Sequence, residues 1–465
     1  MSDLPHLPSE NPNEPDFAAM LASLLGGVDN PEVAEALGAM GIDKMDPATM
    51  GMIGAQIKAM MSGGAGEPFN LELATDVARK TVAAQGDSSV GAAARREVEQ
   101  AVRIAVLWLD DVTDLSTSDG PVHAWSRAEW VDQTMPMWRQ LVEPVASGVS
   151  TAVVAAMRAQ MGQLGAGDDL AQIPGVPSGM DAGALMGQME PMLERMSGSM
   201  FGAQVGQAVG ALAGDLVSGT DVGLPLVAHD GIALMPANIE SFAEGLEVDL
   251  AEVRLYLAVR EAARVRLFAE VAWLGPQLIA AVQAYARDIT IDTAGIETAL
   301  QSIDPSDPEA MQLALSNSLF APEPSPAQLS ALAQLETYLA LVEGWVDVVA
   351  DRATSKHLPH TAALGEAVRR RRASGGPAER VFSQLVGLEL RPRRLRDGAN
   401  LFAALEAKGG SAARDGAWAH PDVAPTTADL DDPLGYVERF ISSETRDAMD
   451  TALDALLSEG DSNNP

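Results

Sequence analysis

Apolar residues recur every three or four positions along most of the chain from Glu67 onward, which is the spacing of one face of an α-helix. The pattern predicts helices over 71–84, 92–109, 127–161, 249–273, 276–287, 326–352, 364–374, 378–385 and 399–405. Gly and Pro are concentrated between 162 and 182, which predicts a loop there. The sequence therefore predicts a mainly α fold.

The two ends of the chain have a different character. Residues 1–15 are rich in Pro, Asn and acidic residues, which predicts a disordered tail. Residues 16–66 are rich in Met and interrupted by Gly, which predicts short helices. We expect them to dock on the main body rather than on a partner, because Met commonly fills gaps in a core. A helical domain is expected over 67–432, followed by an amphipathic helix and an acidic tail over 433–465.

One stretch, 196–214, carries no charged residue, and its glycines stand at every fourth position. They are Gly198, Gly202, Gly206, Gly210 and Gly214. This spacing exposes a strip of backbone on one face of a helix, where a second helix can approach closely. In membranes the same pattern drives helix dimerisation, but Ser and Gln interrupt it here. We therefore predict a buried helix and do not expect membrane contact.

The best strand candidate is 224–235, where two short apolar runs flank His229-Asp230-Gly231. Asp-Gly is a frequent turn in β-hairpins. We predict a small β-hairpin or sheet directly upstream of the helix that begins at Asp249. In this arrangement His229 lies in an exposed turn, although a position beside a cleft stays open.

The helix predicted over 249–273 combines two features that conflict. Apolar residues cover almost all of its faces, and such a helix is normally buried. Its middle nevertheless carries Arg260, Glu261, Arg264 and Arg266. Because a buried charge needs an opposite charge or a ligand, specific groups must face these side chains.

The spacing of these charges has two interpretations. The simpler one is an ion-pair network, which is the usual role of Arg and Glu at helical spacing. The second is that Arg260-Glu261-Ala262-Ala263-Arg264 has the frame of the zinc motif H-E-x-x-H. In that motif two histidines one turn apart bind zinc, and the Glu acts as general base on the bound water. A guanidinium has no lone pair for a metal, so arginines cannot serve as those ligands.

Several segments favour the second interpretation of the frame. In order along the chain they are SGTDVGLPL, PANI, LYLAVREAARVRLFAEVAWL, LVEGWVDVV and FSQLVGLELRPRRLRD. Together they resemble a zincin-like family of zinc-dependent metalloproteases or hydrolases from actinobacteria and some other bacteria, over about residues 67–432. The resemblance implies a zincin-like helical core, zinc as the family cofactor and Glu261 at the base position. Arg260 and Arg264 would replace both histidine ligands, so we expect a degenerate member that binds no metal and no other cofactor.

A second helix offers partners for these arginines. Glu343 and Asp347 stand one turn apart, as on the third-ligand helix of glutamate-type zincins, where the Glu binds zinc and the Asp orients a histidine. A solvated acidic face is the alternative. We hypothesise that Arg260 and Arg264 face Glu343 and Asp347, and that ion pairs replace the metal, since Arg forms bidentate pairs with carboxylates.

Composition narrows the range of functions. The formal net charge of -34 repels phosphate backbones, so we expect no nucleic-acid partner. The absence of cysteine excludes disulfides, iron–sulfur clusters and cysteine nucleophiles. The chain begins without the basic and apolar regions of a secretory signal, and we expect a cytoplasmic protein. For the basic run Arg369–Arg372, internal pairing or a surface partner is favoured over phosphate binding, and His357 and His360 are expected in a polar loop.

Three functions stay open from the sequence. The favoured one is a pseudoenzyme of the zincin-like family that binds a peptide or protein or acts as a scaffold. The alternative is an active metal-dependent hydrolase with ligands such as Glu261, Glu343, Asp347 and a distant histidine, which would suit Mg or Mn better than Zn. The third is a membrane-associated helical protein.

Overall fold

The computed structural model describes residues 68–117, 119–164, 182–227, 231–287, 324–373, 383, 385 and 394–443. The chain divides into two units between Gly63 and Gly64, and every described residue belongs to the second, Gly64–Pro465. The predictions for 1–15 and 16–66, and most of those for 378–385 and the C-terminal tail, lie outside the described residues.

The described part of the chain is mostly helical, as predicted, and carries one small sheet. In chain order the helices are α1 (Leu71–Gln85), α2 (Ala92–Asp110), α3 (Arg127–Leu164), α4 (Ala182–Ala213), α5 (Pro236–Ala243), α6 (Leu250–Glu270), α7 (Leu274–Arg287), α8 (Pro326–Thr354), α9 (Thr361–Ala373), α10 (Leu395–Gly416) and α11 (Thr427–Asp431). A further helix, α12, runs over 433–443. Strand β1 (Val122–Ala124) precedes α3, and β2 (Ile232–Leu234) precedes α5.

Helix boundaries follow the capping signals of the sequence. The side chain of Asp249 accepts a hydrogen bond from the backbone N–H of Ala251 at 2.8 Å and so starts α6. At the start of α8, Ser325 and Gln328 form a reciprocal capping box with bonds of 2.9 and 3.1 Å. The helix predicted over 249–273 ends earlier, because the chain turns by 90° between α6 and α7.

The glycine strip of α4 packs against α1. A Cβ atom at Gly202 would lie 2.8 Å from the carbonyl oxygen of Asn70, and one at Gly210 would lie 2.7 Å from that of Ala78. The backbones of the two helices therefore touch along this strip, which leaves no room for side chains. The predicted helix is confirmed and is longer than predicted. Its glycine face is buried, whereas Met196 and Met200 are exposed.

Replacing Gly210 with Ala should lower the free energy of unfolding by about 1–3 kcal/mol, because the added methyl group meets backbone atoms that cannot move aside. Gly187 is a matched control on the same helix, since a Cβ atom there meets nothing within 4 Å. Gly187→Ala should be neutral or stabilise by up to about 1 kcal/mol, through the better helix propensity of Ala. Urea unfolding of both variants tests this contrast, and equal effects would contradict the close packing.

The small sheet upstream of α6 is present, but the predicted hairpin pairing is wrong. Strand β2 pairs in parallel with β1, with Val122 opposite Ile232 and Ala124 opposite Leu234. On the other side of β2, the backbone N–H of Met235 donates to the carbonyl oxygen of Val217 at 3.0 Å. The partners of β2 therefore come from distant parts of the chain, whereas the Asp-Gly signal indicates only local pairing.

Helix α6 lies at the centre of the described part, and all its residues from Tyr256 to Leu267 are buried. Helix α8 packs on it and also on α10. A Cβ atom at Gly344 would lie 2.5 Å from the backbone nitrogen of Ala399, so the backbones of α8 and α10 approach closely at this point. This contact fixes the position of Glu343, the neighbour of Gly344 in the chain.

Within the described residues, no single helix is both long and apolar enough to cross a membrane. Helices α6 and α7 together have the length and the apolar composition for a span, but the chain bends by 90° between them.

Candidate functional site

The four charged side chains in the middle of α6 are buried, and they point in two directions. Arg260, Glu261 and Arg264 have exposed fractions of 4%, 0% and 1%. Arg266 points elsewhere, because its Nη2 atom donates to Asp110 Oδ1 at 2.6 Å and to the carbonyl oxygen of Val106 at 2.9 Å, both on α2. Arg260, Glu261 and Arg264 thus form a group of their own.

Both arginines of the motif frame form ion pairs with α8, as hypothesised. Arg260 donates from Nη1 to Asp347 Oδ1 at 2.9 Å and from Nη2 to Glu343 Oε2 at 3.0 Å. Arg264 donates from Nε to Glu343 Oε1 at 3.0 Å. The Glu343 side chain is only 3% exposed. The alternative of a fully solvated acidic face is therefore wrong at this position.

Glu261 is held by donors from the loop that precedes β2. Its Oε2 atom accepts hydrogen bonds from Ser218 Oγ and Thr220 Oγ1, both at 2.7 Å, and from Arg264 Nη1 at 2.9 Å. Its Oε1 atom accepts from the backbone N–H of Thr220 at 2.9 Å. Burial raises the pKa of Glu261, and these donors oppose the rise.

The basic run at the end of α9 completes the site. Arg369 donates to Asp347 Oδ2 at 3.0 Å, and Arg371 donates to Asp221 Oδ2 at 2.9 Å. Arg372 reaches Asp221 Oδ1 at 3.3 Å and Glu343 Oε1 at 3.1 Å. Among the sequence interpretations of this run, internal pairing is the one that the structure supports for these three arginines.

We refer to these groups as the arginine–carboxylate cluster. Its members are Arg260, Arg264, Arg369, Arg371, Arg372, Asp221, Glu261, Glu343 and Asp347. Asp221, Ser218 and Thr220 were not predicted as site residues from the sequence, although all three lie in the segment SGTDVGLPL.

Two carboxylates of the cluster, Asp221 and Glu343, have lowered pKa values. Burial alone would raise the pKa of Asp221, but Arg371, Arg372 and Arg264 together hold it well below its ordinary value. The pKa of Glu343 is lowered in the same way, because nearby arginines outweigh the effect of burial. Acidic groups with lowered pKa values favour folding at neutral pH.

Asp221→Asn should lower the free energy of unfolding at pH 7 by roughly 3 kcal/mol, because two arginines lose their buried carboxylate. The pKa of Asp221 is lower in the folded than in the unfolded chain. Its contribution is therefore present above the ordinary aspartate pKa of about 4 and is lost as the pH falls toward the lowered value.

The difference in free energy of unfolding between wild type and Asp221→Asn should accordingly shrink as the pH falls from about 5 to about 2. In this range the unfolded chain binds a proton at Asp221 that the folded chain does not yet bind. Urea unfolding across this range is the measurement. Asp76→Asn is the control, since Asp76 pairs with Lys80 on the surface of α1 and its side chain is 52% exposed. A pH-independent difference for Asp221→Asn would contradict the assignment.

The groups that occupy the motif frame do not fit a zinc ion. Arg260 and Arg264 have no lone pair to donate, and the pKa of each is raised. Both oxygen atoms of Glu261 and both of Glu343 already accept hydrogen bonds from buried donors. Within the described ranges, no three His, Asp or Glu side chains are grouped in a way that could hold a metal ion.

The described histidines lie apart from the cluster. His357 stacks on Trp108 with ring centroids 4.4 Å apart, and Nδ1 of His360 lies 2.9 Å from Glu252 Oε2. His123 stacks on Trp125 with a centroid distance of 5.0 Å. His229 lies outside the described residues, so its predicted exposed position stays a prediction.

Comparison with known proteins adds two findings. A family model described as zincin-like metallopeptidase matches residues 69–437. A crystal structure of a candidate hydrolase with a novel fold, from Chloroflexus aurantiacus, superposes with a TM-score of 0.54 at 16% sequence identity and covers 80% of this chain and 98% of its own. At that identity the likeness shows the fold alone. No curated protein matches the sequence.

Proposed function

The chain belongs to the zincin-like metallopeptidase family, and from this premise we propose that it is a degenerate member, a binding or scaffold protein without zinc peptidase activity. Its partner would be a peptide or another protein. The members of the arginine–carboxylate cluster would then stabilise a binding surface instead of holding a metal.

One observation carries this proposal. The side chains at both histidine positions of the motif are guanidinium groups, and each is bound to Glu343, the residue at the third-ligand position, at 3.0 Å. Two neutral histidines and a Zn²⁺ ion would carry the same charge as two arginines. The two arginines thus balance the charges of Glu261 and Glu343 without a metal, which accounts for the burial of these four side chains at one place.

The alternative of a hydrolase that uses carboxylate ligands has weaker support. Such a metal would need free oxygen atoms on Glu261, Glu343 and Asp347, and each of these carboxylates is bound by an arginine at 2.9 to 3.0 Å. Binding a cation there would require the arginines to move away and leave their charges unpaired.

We also propose a cytoplasmic location and no nucleic-acid partner. A net charge of -34 opposes binding to phosphate backbones, and the lack of cysteine removes the disulfides found in many secreted domains. Cell fractionation tests the first point, and retention on immobilised DNA at low salt tests the second.

The test of the proposed function is a peptidase assay with and without added zinc, on wild type and on Glu261→Gln. We expect no peptide cleavage by wild type above the level of the variant. Any activity that both proteins share comes from a contaminant. Zinc-stimulated cleavage by wild type that disappears in Glu261→Gln would overturn the proposal and establish a working peptidase.

A further inference from the structure

Helix α9 is joined to the rest of the cluster chiefly through charge. It buries only Thr361, Leu364, Gly365 and Val368, on its first two turns. Its last turn carries Arg370, Arg371 and Arg372 and no apolar anchor beyond Ala373, which is exposed. The end of α9 is therefore held by the contacts of its arginines, which are ion pairs to Asp221, Glu343 and Asp347, a hydrogen bond from Arg371 to the carbonyl oxygen of Asp215, and the packing of Arg371 on the ring of Phe242.

The arginines of α9 enter the cluster from the solvent side. The side chains of Arg369, Arg371 and Arg372 are 45%, 20% and 15% exposed. By contrast, those of Arg260 and Arg264 are 5% and 2% exposed. Because water already reaches the outer arginines, their withdrawal exposes less apolar surface than withdrawal of the inner pair.

Withdrawal of α9 would leave an acidic site. The remaining members are Arg260 and Arg264 against Asp221, Glu261, Glu343 and Asp347, which gives a formal charge of -2 when all are ionised. Asp221 and one oxygen of Glu343 would lose their outer donors. Such a site is complementary to guanidinium groups, because one guanidinium can donate two parallel hydrogen bonds to one carboxylate.

One of the hydrogen-bond donors of Arg372 is unsatisfied within the described part of the chain. Its Nε atom is buried and has no hydrogen-bond partner among the described residues. An unsatisfied buried donor opposes the docked state, because its lost hydrogen bond to water is not replaced. Burial also lowers the pKa of Arg372, unlike those of Arg260 and Arg264, which are raised. A competing arginine that satisfied all of its donors would be favoured over this one.

We propose that the end of α9 occupies a recognition site for an arginine-rich segment of a partner protein, and that arginines of the partner replace Arg371 and Arg372 on Asp221 and Glu343. Helix α9 acts as an internal competitor that keeps the site closed until such a partner binds. This inference rests on the proposed binding function and names the chemistry of the partner.

The experiment uses a fluorescent peptide with the sequence AVRRRRASG, which is residues 367–375 of this chain. Its affinity is measured by anisotropy for full-length wild type and for the variant Arg371→Ser/Arg372→Ser, in which the internal competitor is weakened. We expect the peptide to bind the variant at least tenfold more tightly than wild type. Adding Asp221→Asn to the variant should abolish this gain, whereas adding Asp76→Asn, which removes the same charge on the surface of α1, should leave it unchanged.

A second measurement uses wild type alone, in case the variant does not fold. Saturating peptide should increase hydrogen exchange in 361–373 and leave exchange in α1 unchanged. The inference is overturned if wild type and a folded variant bind equally, if Asp76→Asn and Asp221→Asn have equal effects, or if α9 exchange does not respond. These outcomes do not depend on zinc content or peptidase activity, so failure here leaves the proposed function standing, and failure of the proposed function is recognised separately by the peptidase assay.

Discussion

Replacing Arg264 with Met is expected to lower the free energy of unfolding by about 3–5 kcal/mol, which is the cost of removing one partner of a buried ion pair. Arg264 is 1% exposed and bonds Glu261 at 2.9 Å and Glu343 at 3.0 Å. Methionine fills part of the space but leaves Glu261 without its cation in a site that water does not reach. Urea unfolding at pH 7 measures the loss.

Arg79→Met is the matched control for this prediction. Arg79 pairs with Asp132 at 2.7 Å, but its side chain is 54% exposed, so its loss should cost only about 0–1 kcal/mol. The double variant Arg264→Met/Glu261→Gln should be more stable than Arg264→Met alone, because the stranded charge is then gone. If Arg264→Met and Arg79→Met have the same effect, the buried cluster does not stabilise the fold as argued.

The second large effect is a gain of metal binding. The double variant Arg260→His/Arg264→His should bind one zinc ion per chain, because it places two imidazoles one helical turn apart opposite Glu343. Two histidines and a Glu are a known catalytic zinc set. Zinc at about 1,000 times its dissociation constant would raise the free energy of unfolding of the variant by about 4 kcal/mol, and thermal unfolding with and without zinc measures this rise.

The control adds Glu343→Gln to the histidine variant. Because a neutral amide is a poor zinc ligand, the thermal shift should largely disappear. Arg372 lies 3.1 Å from Glu343 Oε1 and competes for this oxygen, so Arg372→Gln should strengthen zinc binding. A histidine variant that folds but shows no shift with zinc would mean that the frame of Arg260 and Arg264 is not a metal frame.

Much of the helical fold was predictable from the sequence, because each helix carries its own local signals. Apolar spacing and capping residues such as Asp249 and Ser325 indicated α6 and α8, and glycine spacing indicated the close contact of α4. The sheet was not predictable in detail, since β1 and β2 are separated by more than one hundred residues and contribute only three positions each. Short strands with distant partners leave little local pattern.

The candidate site was predictable only where its residues share one helix. The spacing of Arg260, Glu261 and Arg264 on α6, and of Glu343 and Asp347 on α8, indicated the charges that meet. Asp221 and Arg372 come from a loop and a helix end, and spacing along the chain cannot indicate a contact that depends on tertiary packing. For Asp221 the only available signal was composition, since its segment, SGTDVGLPL, combines apolar residues with hydroxyl groups and a carboxylate.

The most direct test of the central claim is the zinc content of wild type after equilibration with excess zinc and removal of loosely bound metal, compared with that of Glu343→Gln. If guanidinium groups replace the metal, neither protein retains stoichiometric zinc, and both give the same small background. One zinc ion per chain in wild type that is lost in Glu343→Gln would contradict the account, because a metal would then share the carboxylate assigned to Arg260 and Arg264.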